Sequence, residues 1–334
     1  MLKLKKYLYY FSIFAIIFFI VPALCTKKAR STMSEINLKG ETQTFPKYDY
    51  TKYAKVRLLD KNNNQVNELE IDNYLYGVVA AEMPANFEIE ALKAQAVAAR
   101  TYTIYKMIHS NKHLSEDADI CNDFSCCQAW ISKKERLEKW KEDEREENWK
   151  KIMIAVDSTS GKIITYNHEP INAFFHSNSG GITETASNVW GEKDIPYLQS
   201  VETSGEDEYS QYSSEIELTK DELIEKLKAE YKDIKIDFKE EDCIKILEYT
   251  DSKRVKTIKF GNMEIAGTKA RSLLGLKSTN FEFKIERDKI IFYVTGYGHG
   301  VGMSQTGADS MAKEGKKYEE ILTHFYTGVE IENI

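Results

Sequence analysis

The chain has 334 residues, 42% of them hydrophobic and 30% charged, with a formal net charge of −7 at neutral pH. That is enough apolar material for a sizeable core, as one large domain or two small ones. The acidic balance gives no basic footprint of the kind nucleic-acid binders need, so nucleic acid is excluded as a partner on charge.

Residues 1–30 stand apart from the rest. After Lys3, Lys5 and Lys6 the run from Tyr7 to Leu24 carries no charge, and its length just spans a bilayer core as a helix. A cleaved signal peptide competes with this reading, but the run is longer than a usual signal core and no clear small-x-small cleavage pattern follows. Cys25 invites lipid attachment, against which Leu24 stands where a small residue is wanted. Lys27, Lys28 and Arg30 follow the span, so flanking charge does not orient it. The expectation is a single-pass membrane anchor with the remainder outside the cytoplasm. Residues 31–49 are polar and aperiodic and read as a linker. Residues 50–334 are then the folded region, in one piece or as two lobes around a cleft.

The folded part opens with "AKVRLLD" and "VNELEI" flanking "KNNNQ", a β-hairpin pattern. Asp72 is placed to cap a short helix, "NYLYGVVAAEM", that Pro84 stops. Asn86 is placed to cap a longer one, "FEIEALKAQAVAARTYTIYKMI". Glu82 falls between them, the one carboxylate in an uncharged run of Val78, Val79, Ala80, Ala81 and Met83. A carboxyl in the last turn faces the negative end of the helix dipole, and apolar neighbours strip it of water. Both raise its pKa, which suits a general acid. The competing reading is a surface glutamate at a frayed helix end. On the second helix Lys93, Gln95, Arg100 and Tyr102 either line a cleft beside Glu82 or are solvated.

Next, "NKHLSEDADICNDFSCCQAW" gathers His113, Cys121, Cys126 and Cys127 in one loop. Zinc accepts a Cys3His set, and structural zinc sites are closed by four protein ligands. A disulfide from Cys121 to Cys126 or Cys127 is the alternative for an exported protein, and free buried thiols are the third reading. A catalytic zinc is disfavoured because the loop lacks HExxH and the deaminase pattern. Cys243 reads as a core-facing strand residue. The charge-dense "SKKERLEKWKEDEREENWKKIMIAV" reads as one solvent-exposed helix with no chemistry.

"FFHSNSGGITETA" holds His176, Ser177 and Ser179. A serine nucleophile is disfavoured, since GxSxG is absent and strand neighbours point to opposite faces. The run reads instead as a strand end at a cleft edge, able to hold sugar hydroxyls, or as a polar turn. Thr219 and Glu222 form a capping box, and "KILEYTDSKRVKTIKF" is a hairpin. In "GYGHGVGMSQTGA" the alternating glycines do not make a dinucleotide motif. They permit close backbone approach to a glycan or to a neighbouring strand, and His299 and Gln305 are contacts if it is a glycan. The mixture of helices and antiparallel strands gives an α+β fold class.

Taken in order, "YLYGVVAAEMP", "KAQAVAARTY", "CQAW", "FFHSNSGGITETA", "LGLKST" and "GYGHGVGMSQTGA" resemble the stage II sporulation protein D family from about Val56 to the C-terminus. The resemblance implies a membrane-anchored lytic transglycosylase acting on peptidoglycan during engulfment, with Glu82 of "AEMP" as its catalytic acid. It implies as partners a sporulation amidase, which strips stem peptides beforehand, and a membrane scaffold protein. Denuded glycan strands are then the substrate. Lys93 and Arg100, in the matching helix, are candidates for orienting the glycan or its lactyl carboxylate. Tyr197, His176, Ser177, Ser179, His299 and Gln305 are further cleft candidates. One carboxylate suffices for such a reaction, whereas hydrolysis normally takes two, and Glu184 is the candidate second acid. Clostridial members are similar in carrying a structural zinc loop, although Cys126 stands where they usually have His, and His113 lies farther from the first cysteine. Two other classes compete: a non-catalytic enhancer of a cell-wall amidase, and a zinc-dependent amidase.

Overall fold

The computed structural model describes residues 52–110, 113, 116–191 and 194–334; the expected anchor and linker lie outside them. Among the described residues no helix is long and apolar enough to cross a membrane. These residues form the mixed α+β arrangement expected, and the predicted first hairpin is present. Its strands Lys55–Asp60 and Gln65–Glu70 pair antiparallel. Asp60 and Asn63 accept the turn's backbone N–H groups, and Asn64 takes the left-handed conformation, the turn chemistry for which Asn is suited.

The two helices around Glu82 are the centre of the molecule. The first runs Ile71–Glu82 and ends because Met83, preceding Pro84, is forced into extended backbone. The second, Ile89–His109, is buried nearly all round through Leu92, Ala94, Ala96, Val97, Ala98 and Ala99. It packs against the first helix, against helices Arg145–Asp157, Gln305–Lys313 and Tyr318–Phe325, and against strand Lys162–Tyr166. Its alanines allow this many close neighbours, because a helix apolar on every side belongs in a core. The expected caps differ. The first helix begins at Ile71 with Asp72 already inside its first turn, and the second begins after Glu88 rather than Asn86. Asp72 turns inward instead, accepting from Arg100 Nη2 at 3.4 Å and Ser160 Oγ at 3.0 Å.

The charge-dense run is two helices, not one. Lys133–Lys139 carries a Ser132/Glu135 capping box, and the chain turns at Trp140 before Arg145–Asp157 begins. Opposite charges at helical spacing stabilise both halves equally and do not mark the break.

A second apolar cluster is built from Leu223, Ile258, Phe260, Ala270, Ile290 and Phe292. Two three-stranded sheets supply it, one of them the predicted hairpin Ile244–Tyr249 with Val255–Phe260, extended by Met263–Ala266. The other joins Ser213–Thr219, Lys289–Thr295 and Phe281–Ile285. The Thr219/Glu222 capping box is present, and Cys243 is buried as expected. The strand predicted at "INAFFHSNSGG" shrinks to Phe175–His176, paired in parallel with Met303–Ser304. There the alternating glycines lie close against other segments of the fold. Gly302 has φ of +71°, and an added Cβ would lie 2.1 Å from the Phe174 carbonyl oxygen.

Candidate active site

Glu82 is the last residue of the first helix and opens onto a polar cleft of about 550 Å³. Ser177, Gln305 and Thr306 line the cleft, as do Arg136, Trp140, Glu144 and Asn148. Burial pushes the Glu82 carboxyl up to about 7, against two donors that favour its charged form. The Ala129 N–H donates to Oε1 at 2.6 Å and Gln305 Nε2 donates to Oε2 at 3.4 Å. Gln305 is itself steadied by Gln95, which accepts from the same Nε2 at 3.3 Å. A carboxyl poised near neutrality can both give and take a proton.

The tail of the cysteine loop places the Ala129 donor. Gln128 Nε2 donates to Tyr74 Oη and Thr103 Oγ1, each at 2.9 Å, and the Ile131 N–H donates to the Gly77 carbonyl at 3.3 Å. Gly77 makes this contact possible, since a Cβ there would lie 2.2 Å from Trp130 Nε1.

Upstream, Cys121 pairs with the first hairpin through a short parallel strand, and the loop returns to bring four ligands together. His113 Nε2 lies 3.4 Å from Cys126 Sγ and 3.5 Å from Cys127 Sγ, with the two sulfurs 3.6 Å apart. Tetrahedral zinc with three thiolates and an imidazole sets ligand atoms about 3.5–3.8 Å from one another. The donor set and spacing therefore fit a closed metal site. All four described cysteines are free thiols, so the disulfide alternative is not the arrangement seen.

Of the residues expected from the sequence to touch a glycan, Ser177 and Gln305 line the cleft with Glu82, and Gln95 stands directly behind Gln305. The others do not line it. Arg100 is wholly buried, donating to Asp72 and to the carbonyls of Val156 and Lys162; its cationic group stitches core elements together. Lys93 is bonded to Glu90 at 2.8 Å. Tyr197 Oη accepts the Asn172 N–H at 3.1 Å. His176 and His299 stack with each other and His299 with Phe174 and Trp190; burial and the nearby Arg254 push His176 down to about 4.

Ser179 is buried against Glu206, a residue the sequence reading passed over in the acidic "GEDE" run. Glu206 accepts from the hydroxyls of Ser179, Thr203, Ser304 and Thr306. Burial raises its pKa, but these donors outweigh burial and hold it at about 2. Ser304 and Thr306 flank Gln305, so this buried anion fixes the segment that reaches Glu82. Glu184 is not a cleft acid either. Burial pushes it up, but Asn188, Ser252, Thr250 and the Thr185 N–H overcome that and hold it below the ordinary range. Arg136, Trp140, Glu144 and Asn148 were missed because only the break between their two helices turns them inward.

A family model described as stage II sporulation protein matches residues 60–166. Stage II sporulation protein D of Bacillus subtilis is 39% identical over 269 residues, covering 80% of this chain and 76% of that protein. Its counterpart in Bacillus amyloliquefaciens is 36% identical over 271 residues, covering 81% and 76%. The amidase enhancer of Bacillus subtilis is 28% identical over 304 residues, covering 76% of this chain and 39% of that protein.

Proposed function

Because the chain belongs to the stage II sporulation protein D family, we propose that it is a lytic transglycosylase cleaving denuded peptidoglycan strands during engulfment. The observation that carries this reading is Glu82: a carboxyl held near pH 7 on the wall of an open polar cleft. Protonated Glu82 donates to the oxygen linking N-acetylmuramic acid to N-acetylglucosamine as that bond to C1 breaks. The carboxylate so formed accepts the proton of the muramic 6-hydroxyl as its oxygen attacks C1. The sugar ends as a 1,6-anhydro ring, Glu82 is protonated again, and no water is consumed. Only one other cleft-lining residue is a carboxylate, Glu144, whose half-exposed side chain sits 3.5 Å from Lys141.

The Cys3His cluster holds zinc in a structural role, bracing the loop that carries Ala129. The anchor in residues 1–30 keeps the catalytic region at the outer face of the cell membrane, beside the amidase that strips stem peptides and the scaffold protein that holds the two together. An amidase reading has no support from the site, because the metal cluster is closed by four protein ligands and leaves no position for substrate.

Mass spectrometry of denuded glycan strands incubated with the full chain in detergent tests the reading. Fragments with anhydro ends are expected from the wild type and not from Glu82→Gln. Reducing ends without the anhydro ring mean hydrolysis and point to Glu144 as the second acid. Glycan affinity without cleavage, unchanged in Glu82→Gln, means the enhancer role suggested by the 28% identical relative.

A further inference from the structure

Among the described residues Arg136 is the one cation lining the cleft, and no ion pair with an acid there is formed. It forms no ion pair with a described carboxylate, its guanidinium lies 4.9 Å from the centre of the Trp140 ring, and its Nε is buried without a hydrogen-bond acceptor. Burial shifts its pKa downward. Glu144, the cleft's other acid besides Glu82, is turned to Lys141. A partly desolvated guanidinium over an indole ring, with its Nε unpartnered, is a receptor waiting for an acceptor. The planar fork matches a carboxylate in two parallel hydrogen bonds, and the indole face offers an apolar platform for a sugar ring.

We propose that Arg136, stacked on Trp140, binds the free lactyl carboxylate of a muramic acid residue and thereby selects glycan whose stem peptides have been removed. This inference rests on the glycan-cleaving reading of the cleft. A lactyl group bearing a peptide is an amide, with one neutral acceptor and no charge; once stripped it is an anion with two equivalent oxygens. The difference between those two forms is the difference a partly buried, unpaired guanidinium detects. Lys93 and Arg100, the cations first expected to do this, are consumed by Glu90 and by the core.

The test compares denuded strands with the same strands after their lactyl carboxylates have been converted to methylamides. With the full chain in detergent, kcat/KM on free-carboxylate strands is expected to exceed that on amidated strands by about tenfold to a hundredfold, the range of a charge-assisted hydrogen bond. In Arg136→Gln the preference collapses, because cleavage of free-carboxylate strands falls by that factor relative to cleavage of amidated strands. Arg136→Lys restores part of the preference. Equal loss on both substrates, or a preference that survives in Arg136→Gln, overturns the proposal. If the wild type cleaves neither substrate, the transglycosylase reading fails instead. Binding of the two strands to Glu82→Gln protein then decides the subsite independently: discrimination that is lost in the Glu82→Gln, Arg136→Gln double variant supports it, and equal binding overturns it.

Discussion

The raised pKa of Glu82 has a consequence for stability that needs no substrate. Between pH 4.5, the ordinary value, and about 7, its value here, the folded protein keeps a proton at Glu82 that the unfolded chain has lost. Stability therefore falls with rising pH through this window, since the native state binds more protons than the unfolded one. Raising a carboxyl from 4.5 to about 7 corresponds to about 3 kcal/mol, present below pH 4.5 and lost by pH 8. Glu82→Gln cannot ionise and lacks this loss. Exchanging the oxygen that faces Gln305 for an amide nitrogen adds a constant cost, which cancels when two pH values are compared. Denaturant unfolding of wild type and variant at pH 5 and pH 8 is expected to show the variant gaining about 2.5 kcal/mol on the wild type at the higher pH, the remainder being lost already at pH 5. A difference between the two proteins that does not change with pH would falsify the assignment of Glu82 as a desolvated acid.

Two further outcomes follow from the residues around it. Arg100→Met is expected to cost about 3–5 kcal/mol, because it leaves the buried Asp72 without its cation, while KM for glycan in the folded fraction stays unchanged; a stable variant with raised KM would return Arg100 to the binding site. Chelation, or Cys127→Ser, is expected to lower metal content measured by mass spectrometry and the thermal midpoint together. The stability term is about 4 kcal/mol for a metal present at a thousandfold excess over its dissociation constant. Cleavage should fall as well, since Ala129 is two residues from Cys127 and donates to Glu82. Cys243→Ser, at a thiol outside the cluster, controls for cysteine loss, and a chelated protein of unaltered stability would show the cluster to be something other than a metal site.

Glu82 was legible in the sequence because its environment is local. The apolar run that desolvates it and the proline that ends its helix are written in adjacent residues, and the fold keeps both. The cysteine loop was legible for a related reason, since its four ligands fall within a short segment. The residues lining the cleft were not, because a polar side chain on a helix carries no mark of its partner. Arg100 and Lys93 share a helix with Gln95, yet one meets Asp72, one meets Glu90, and only Gln95 stands behind Gln305. Which of these occurs depends on segments far away in the chain.

The same limit hid the rest of the cleft lining. Charge alternation in residues 132–157 satisfies helical spacing throughout, so it gives the strength of helix formation and not the place where the chain turns. The turn at Trp140 is a tertiary event that carries Arg136, Trp140 and Glu144 to the cleft carrying Glu82. A stretch whose composition reads as solvated surface thereby supplies the cation and the aromatic face of the site. Glu206 reads equally plainly as surface in "GEDE", yet it is 2% exposed and holds the hydroxyls on both sides of Gln305. In both places the informative quantity is the number of donors or acceptors left over after folding. Glu206 has its acceptors filled, which makes it a support, whereas Arg136 has donors to spare, which makes it a site.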